Sequence, residues 1–122
     1  MDNAYNHQLR ELTKIAAKNC QISNIKEGVY AYVGGPNFET VAELHYLKLA
    51  GADVVGMSTV PEVIAARHCG LKVCGISLIT NVTVMDYESD SKTDHSEVLA
   101  IGNASCVAMQ SLVSDLVRLI EL

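Results

Sequence analysis

The feature that most constrains this chain is its alternation of helix-period segments with short β-rich ones, each closed by glycine, proline or asparagine. Residues 4–20 place Leu9, Leu12, Ile15, Ala16 and Cys20 at helical spacing, with Asn3 positioned to cap the start. Residues 24–28 form a turn. Residues 29–33 are β-rich and run into Gly34-Gly35-Pro36, a strong breaker. Residues 40–49 put Val41, Leu44, Leu47 and Lys48 on one helical stripe, stopped by Gly51. Residues 53–57 read as a short strand. Thr59, Pro61 and Glu62 then predict a capping box and a helix to about Cys69, closed by a left-handed Gly70. Residues 71–80 are apolar and rich in β-branched side chains, as a strand buried on both faces is. Residues 81–93 form a long loop. Asp94-His95-Ser96-Glu97 predicts a second capping box, opening a last helix that runs to the C-terminus through Val98, Leu99, Ile101, Leu112, Leu116 and Leu119.

The order is α-β-α-β-α-β-loop-α. Strands separated by helices are parallel and joined by crossovers, which defines an α/β fold. A sheet of only three buried parallel strands leaves its edges open, and such sheets are normally larger and covered on both faces. The expectation is therefore a single, incomplete domain over residues 1–122, with the rest of the fold before residue 1.

Composition narrows the classes. Apolar residues make up 49% and charged residues 19%, which excludes a disordered chain. A net charge of −5 and a pI near 5.2 leave no basic footprint, so neither nucleic acid nor an anionic membrane is an expected partner. The longest weakly charged run, residues 51–61, is broken by Asp53, Gly56 and Pro61 and is too short to span a bilayer. The opening MDNAYNHQLR is polar, unlike a signal peptide. None of the four cysteines, Cys20, Cys69, Cys74 and Cys106, forms a C-x-x-C pair. They read as reduced, mostly buried thiols of a cytoplasmic protein rather than metal ligands.

In open parallel sheets, ligands bind outside the carboxyl ends of the strands. Each predicted strand here ends in an unusual segment: Gly34-Gly35-Pro36-Asn37-Phe38-Glu39, then Gly56-Met57-Ser58-Thr59, then Thr80-Asn81. Glu39 is suited either to a helix dipole or to accepting protons from a heterocycle. Thr59 and Ser58 stand at a helix start, where one caps and the other can reach an anion held by free backbone N–H groups. Asn81 offers a donor and an acceptor side by side, or simply forms an asparagine turn. His95 follows the cap Asp94. His68 suits the dipole at its helix end, and His7 and His45 have no evident partner. The residues by themselves define a small-molecule site with an anion sub-site.

The same segments resemble the trimeric purine nucleoside phosphorylases. The resemblance rests on Gly34-Gly35-Pro36-Asn37-Phe38-Glu39-Thr40, the long run Gly51-Ala52-Asp53-Val54-Val55-Gly56-Met57-Ser58-Thr59-Val60-Pro61-Glu62-Val63, Ala66-Arg67-His68-Cys69-Gly70-Leu71 and Ser77-Leu78-Ile79-Thr80-Asn81, in order. Met85-Asp86-Tyr87-Glu88-Ser89 and His95 continue it. It covers essentially the whole chain, but only the C-terminal half or less of the family's subunit. It implies the C-terminal part of an α/β sandwich around a mixed, largely parallel sheet with a distorted barrel.

The family cleaves purine (deoxy)ribonucleosides with orthophosphate, giving a free base and a pentose 1-phosphate. The resemblance implies that Asn81 hydrogen-bonds nitrogen 7 and the 6-oxygen, and that Glu39 binds the base at nitrogen 1 and the 2-substituent. It implies that Phe38 packs on the base, Met57 and Tyr30 contact the ribose, His95 binds the 5′-hydroxyl and Ser58 contributes to the phosphate site. Catalysis would rest on Asn81, Glu39 and His95, with no metal or organic cofactor, orthophosphate being a co-substrate. The family's remaining phosphate ligands and the neighbouring subunit's aromatic have no counterpart here, although a homotrimer is expected of the whole family protein.

The related methylthioadenosine phosphorylases favour a carboxylate where Asn81 stands and a threonine where Ser58 stands. Asn81 and Ser58 thus point to 6-oxopurines such as inosine and guanosine, in purine salvage. A non-catalytic module that binds purine or associates with complete subunits is the alternative from a different class.

Overall fold

The computed structural model describes residues 1–91 and 94–120. Lys92 and Thr93, the end of the loop predicted over 81–93, and residues 121–122 lie outside the described residues. The elements run α1 (His7–Asn19), β1 (Tyr30–Tyr32), α2 (Val41–Leu49), β2 (Val54–Gly56), α3 (Val60–His68) and α4 (His95–Leu119). The α-β-α-β-α order and the final helix are as expected, with three local corrections. The first helix starts later than predicted, because Asn6 rather than Asn3 accepts the orphan N–H, from Leu9 at 3.0 Å. Helix α3 has no capping box: Thr59 makes no side-chain cap bond. At α4, Asp94 accepts from the Ser96 N–H at 3.0 Å, and the Glu97 half of the predicted box is not formed.

The predicted third strand is the larger correction. β1 and β2 pair in parallel with Tyr30 opposite Val54, Ala31 opposite Val55 and Tyr32 opposite Gly56, and they make the only sheet among the described residues. Residues 71–80 stay outside it and form only a single bridge, Val73 to Tyr5, where the Asn6 N–H donates to the Val73 carbonyl at 2.7 Å. A strand exists only where a neighbour pairs with it, so β-branched composition alone does not make this segment one.

Asp53 sets the register of the pair. Its carboxylate accepts the Val29 N–H at 2.7 Å while its own N–H donates to the Val29 carbonyl at 2.9 Å. Helix α2 between the strands begins with a full capping box. Thr40 Oγ1 accepts from the Glu43 N–H at 3.3 Å, and the Glu43 carboxylate accepts from the Thr40 N–H at 2.7 Å. Gly70, at φ +77°, ends α3 in the left-handed region as its sequence position predicted.

The core lies between the first and last helices. Ala16 and Ala17 of α1 pack on Leu112 and Leu116 of α4, flanked by Leu12, Ile25, Ile76 and Met109. The two alanines have short side chains, which let the helices approach closely. Across the seam Asn19 Nδ2 donates to Asp115 Oδ2 at 2.9 Å. The cluster is small, and the accessible surface is 9070 Å². A compact chain of 13.2 kDa exposes about 6,400 Å², so about 2,700 Å² more stays in solvent than such a chain would leave there. Leu49, Val82, Val107 and Leu99 are among the exposed apolar side chains. The cysteines depart from the expectation for the same reason: Cys69 and Cys106 are exposed, and Cys20 and Cys74 are half-buried free thiols. No described helix is long and apolar enough to cross a membrane.

Candidate functional site

The segments after β1 and β2 meet. Gly35 takes φ +61°, a conformation glycine adopts freely, and this turns the loop against the Met57 side chain. The approach is so close that a Cβ on Gly35 would collide with the Met57 sulfur. One strand over, the Tyr30 ring lies across Gly56, where a Cβ would strike the Tyr30 hydroxyl. That hydroxyl is 3.3 Å from Ser58 Oγ and accepts the Ser58 N–H at 3.3 Å. Tyr30 from β1 and the adjacent Met57 and Ser58 after β2 are thus held together by two glycines that leave room for them.

Ser58-Thr59-Val60 is a strained turn. Thr59 has φ +72° and ψ −56°, and the Val60 N–H donates to the Ser58 carbonyl at 2.8 Å. This is the rare hand of the γ-turn, and for a β-branched residue it costs about 1–3 kcal/mol. The strain explains the failed capping prediction, since a cap residue needs extended backbone to aim its oxygen at the helix amides. Thr59 Oγ1 lies instead 3.2 Å from Ser58 Oγ, so the two hydroxyls stand side by side at the start of α3. Pro61, in the first turn, brings no N–H to this helix end.

Glu39 is half-buried and lines a cleft of about 210 Å³ with Gly34, Gly35, Asn37, Glu43 and Tyr46. It directly precedes the Thr40 cap, so its backbone is anchored to a rigid helix start. Phe38, in the same loop, is 44% exposed. Asn81 is half-buried, and its Oδ1 accepts the Thr80 hydroxyl at 2.9 Å. That bond takes one of the oxygen's two lone pairs and leaves both NH2 hydrogens to donate. His95 is the first residue of α4 and is exposed. Among the described residues no hydrogen bond links Glu39, Asn81 and His95 to one another.

Two charged groups near these elements depart from their ordinary behaviour. The Thr40 N–H, and then its hydroxyl, hold the Glu43 carboxyl below its usual range. The Ser96 hydroxyl, and then its N–H, do the same for Asp94. Sequence reasoning missed His45, whose Nε2 is 2.9 Å from the Met85 carbonyl oxygen. Its partner is a backbone atom 40 residues away, which no local pattern signals.

A two-stranded parallel sheet with a glycine cradle and a strained hydroxyl pair at its carboxyl end is the layout of a small-molecule site in an α/β enzyme. The chain belongs to the Phosphorylase superfamily, whose profile matches residues 1–118. Its relatives include the mouse purine nucleoside phosphorylase, 51% identical over 123 aligned residues that take in all of this chain and 43% of the mouse protein. The bovine purine nucleoside phosphorylase is 50% identical over 93% of this chain and 40% of its own length. In three dimensions the chain matches Schistosoma mansoni purine nucleoside phosphorylase solved with adenosine. The TM-score is 0.95 at 45% identity, covering 99% of this chain and 44% of that one. The fold is therefore a part of the purine nucleoside phosphorylase α/β fold, and the chain spans about two fifths of the length of the curated relatives it matches.

Proposed function

We propose that this chain supplies the base and ribose side of a purine nucleoside phosphorylase site, acting on 6-oxopurine (deoxy)ribonucleosides in purine salvage. The observation that carries the reading is the meeting of the two strand ends, with Gly35 against Met57 and Tyr30 on Ser58. In this reading residues 1–122 form one partial phosphorylase domain of a cytoplasmic homotrimer, with orthophosphate as co-substrate and no cofactor.

Phosphorolysis separates charge: the sugar becomes an oxocarbenium ion as the purine leaves with negative charge. Asn81, its oxygen held by Thr80, turns its NH2 toward nitrogen 7 and the 6-oxygen, where that charge accumulates. Glu39 accepts a hydrogen bond from the nitrogen 1 N–H, and Phe38 covers the base. Met57 and Tyr30 face the ribose, and His95 takes the 5′-hydroxyl. The paired hydroxyls of Ser58 and Thr59 at the α3 start receive part of the phosphate. Schistosoma mansoni purine nucleoside phosphorylase has been solved with adenosine and with inosine, and a Schistosoma purine nucleoside phosphorylase with guanosine, so base preference is expected as a ratio rather than an exclusion.

The test is a hybrid subunit in which these 122 residues replace the matched portion of the mouse relative. Phosphate-dependent release of hypoxanthine from inosine is expected. A folded hybrid without that activity would sink the reading. One observation favours a second reading, a non-catalytic module that associates with complete phosphorylase subunits: the apolar surface left in solvent. An inactive hybrid, together with capture of the 122-residue chain by the intact mouse relative, would select it.

A further inference from the structure

His45 stands five residues beyond the Thr40 cap, on α2. Its Nε2 lies 2.9 Å from the Met85 carbonyl oxygen, and its ring meets Tyr87 edge-on, with centroids 6.3 Å apart and planes at 86°. A carbonyl can only accept, so Nε2 carries the proton. Residues 81–91 have no regular structure, and their other hydrogen bonds are local: Glu88 N–H to Asp86 at 3.0 Å, Ser89 N–H to Asp86 at 3.3 Å and Ser91 N–H to Ser89 at 3.2 Å. Among the described residues, the His45 bond is the one that ties this segment to another element.

Asn81 opens the segment, and Glu39 directly precedes the α2 cap. Four residues of extended chain reach about 14 Å at most, so an anchor at Met85 bounds where Asn81 can go. We infer that His45 is a positioning residue: it fastens residues 81–91 to α2, so that Asn81 and Glu39 are referred to one rigid helix and address the same purine base. The inference rests on the proposed reading of Asn81 and Glu39 as base contacts.

The test begins with the 122-residue chain itself. Chymotrypsin should cut slowly after Tyr87, although that residue is 70% exposed, because cleavage requires the segment to leave α2. H45A should speed that cut about fivefold, the equivalent of one lost hydrogen bond, with cleavage after Tyr32 unchanged. H45Q, which returns an N–H donor, should stay within about twofold of wild type, while H45F, which keeps only the ring contact, should resemble H45A. In the hybrid subunit the same series should be followed by kcat/KM for inosine, down about fivefold in H45A and restored in H45Q.

An unchanged cut after Tyr87 in H45A overturns the fastening. A faster cut with unchanged kcat/KM overturns the positioning role. Failure of the base-contact reading shows separately, as full kcat/KM in Asn81→Ala; it removes the positioning role, while the cleavage series still decides whether the fastening exists.

Discussion

The Tyr30 hydroxyl touches Ser58 twice, accepting its backbone N–H and lying within hydrogen-bond distance of its Oγ, each at 3.3 Å. A strand residue thereby fixes the residue that opens a strained turn on the next strand. Tyr30→Phe removes this anchor and keeps the ring. In the hybrid subunit it should raise the phosphate KM about fivefold, one hydrogen bond's worth, with less effect on the inosine KM. Initial rates against phosphate decide it, and an unchanged phosphate KM would show that Tyr30 does not act through Ser58.

Gly35→Ala meets two penalties at once. The backbone is at φ +61°, and the new Cβ would collide with the Met57 sulfur. The expected loss is about 1–3 kcal/mol, with Met57 displaced from the ribose side. Met57→Ala in the same chain frees the space and should recover part of the loss. Denaturant midpoints of the two single variants and the double variant measure this coupling, and strict additivity would refute it.

Two helix caps give α2 and α4 a pH dependence. The Thr40 contacts hold the Glu43 carboxyl below its ordinary 4.5, and the Ser96 contacts hold Asp94 below its ordinary 3.8. A carboxyl whose folded value is depressed stabilises fully above its unfolded value and loses that contribution as pH falls through the folded one. Helicity should therefore decline as pH drops below about 4.5, and less so in a Glu43→Gln, Asp94→Asn double variant, whose amide oxygens still accept the cap N–H bonds without titrating. Far-ultraviolet circular dichroism from pH 7 to 3 tests this; identical curves for variant and wild type would remove the caps as the cause.

Phosphate binding calls for several donors, arginine above all. The three arginines of this chain are engaged elsewhere: Arg10 with Glu27 at 3.2 Å, Arg67 with the Leu71 carbonyl at 3.0 Å and Arg118 with Asp115 at 3.7 Å. The 122 residues alone should therefore release no hypoxanthine from inosine in a coupled oxidase assay. Turnover that depends on phosphate and vanishes in Ser58→Ala would show that Ser58 and one helix start suffice.

Base choice should turn on Asn81. A 6-amino group presents donors to its NH2, and an unmet buried polar group costs about 1–3 kcal/mol, or about 5- to 150-fold in specificity. Glu39 adds to the bias, because neutral adenine lacks the nitrogen 1 proton. In the hybrid subunit Asn81→Asp should weaken inosine and improve adenosine, since a carboxylate accepts from the 6-amino group. An inosine-to-adenosine ratio of kcat/KM that does not move would withdraw Asn81 as the base-reading residue.

Where the amino-acid sequence was legible, the forces were local. Periodicity and breakers placed every helix and the β1–β2 pair within a few residues, and the strand ends pointed to the segments that hold Gly35, Met57 and Ser58, while Tyr30 was named only through the family resemblance. Residues 71–80 misled because pairing is a property of two segments, and their composition speaks for only one. Thr59 misled because the cap pattern is the same whether or not the backbone is forced to φ +72°. His45 carried no signal, since its partner is a carbonyl that every residue possesses. Cysteine burial was overestimated because composition cannot tell which apolar surface this chain itself covers.

The seam between α1 and α4 also dictates a schedule. Asn19 and Asp115, 96 positions apart, close the same interface as Ala16 and Leu112. On a ribosome adding about 5–20 residues per second, α1 waits on the order of 5–20 s for its packing partner to be made. Through that interval the two alanines and Leu12 have no α4 to cover them, and the βαβ unit can form while the core cannot. Folding of this chain is thus gated by its last helix, and a nascent chain paused within α4 is the species on which holding chaperones would act.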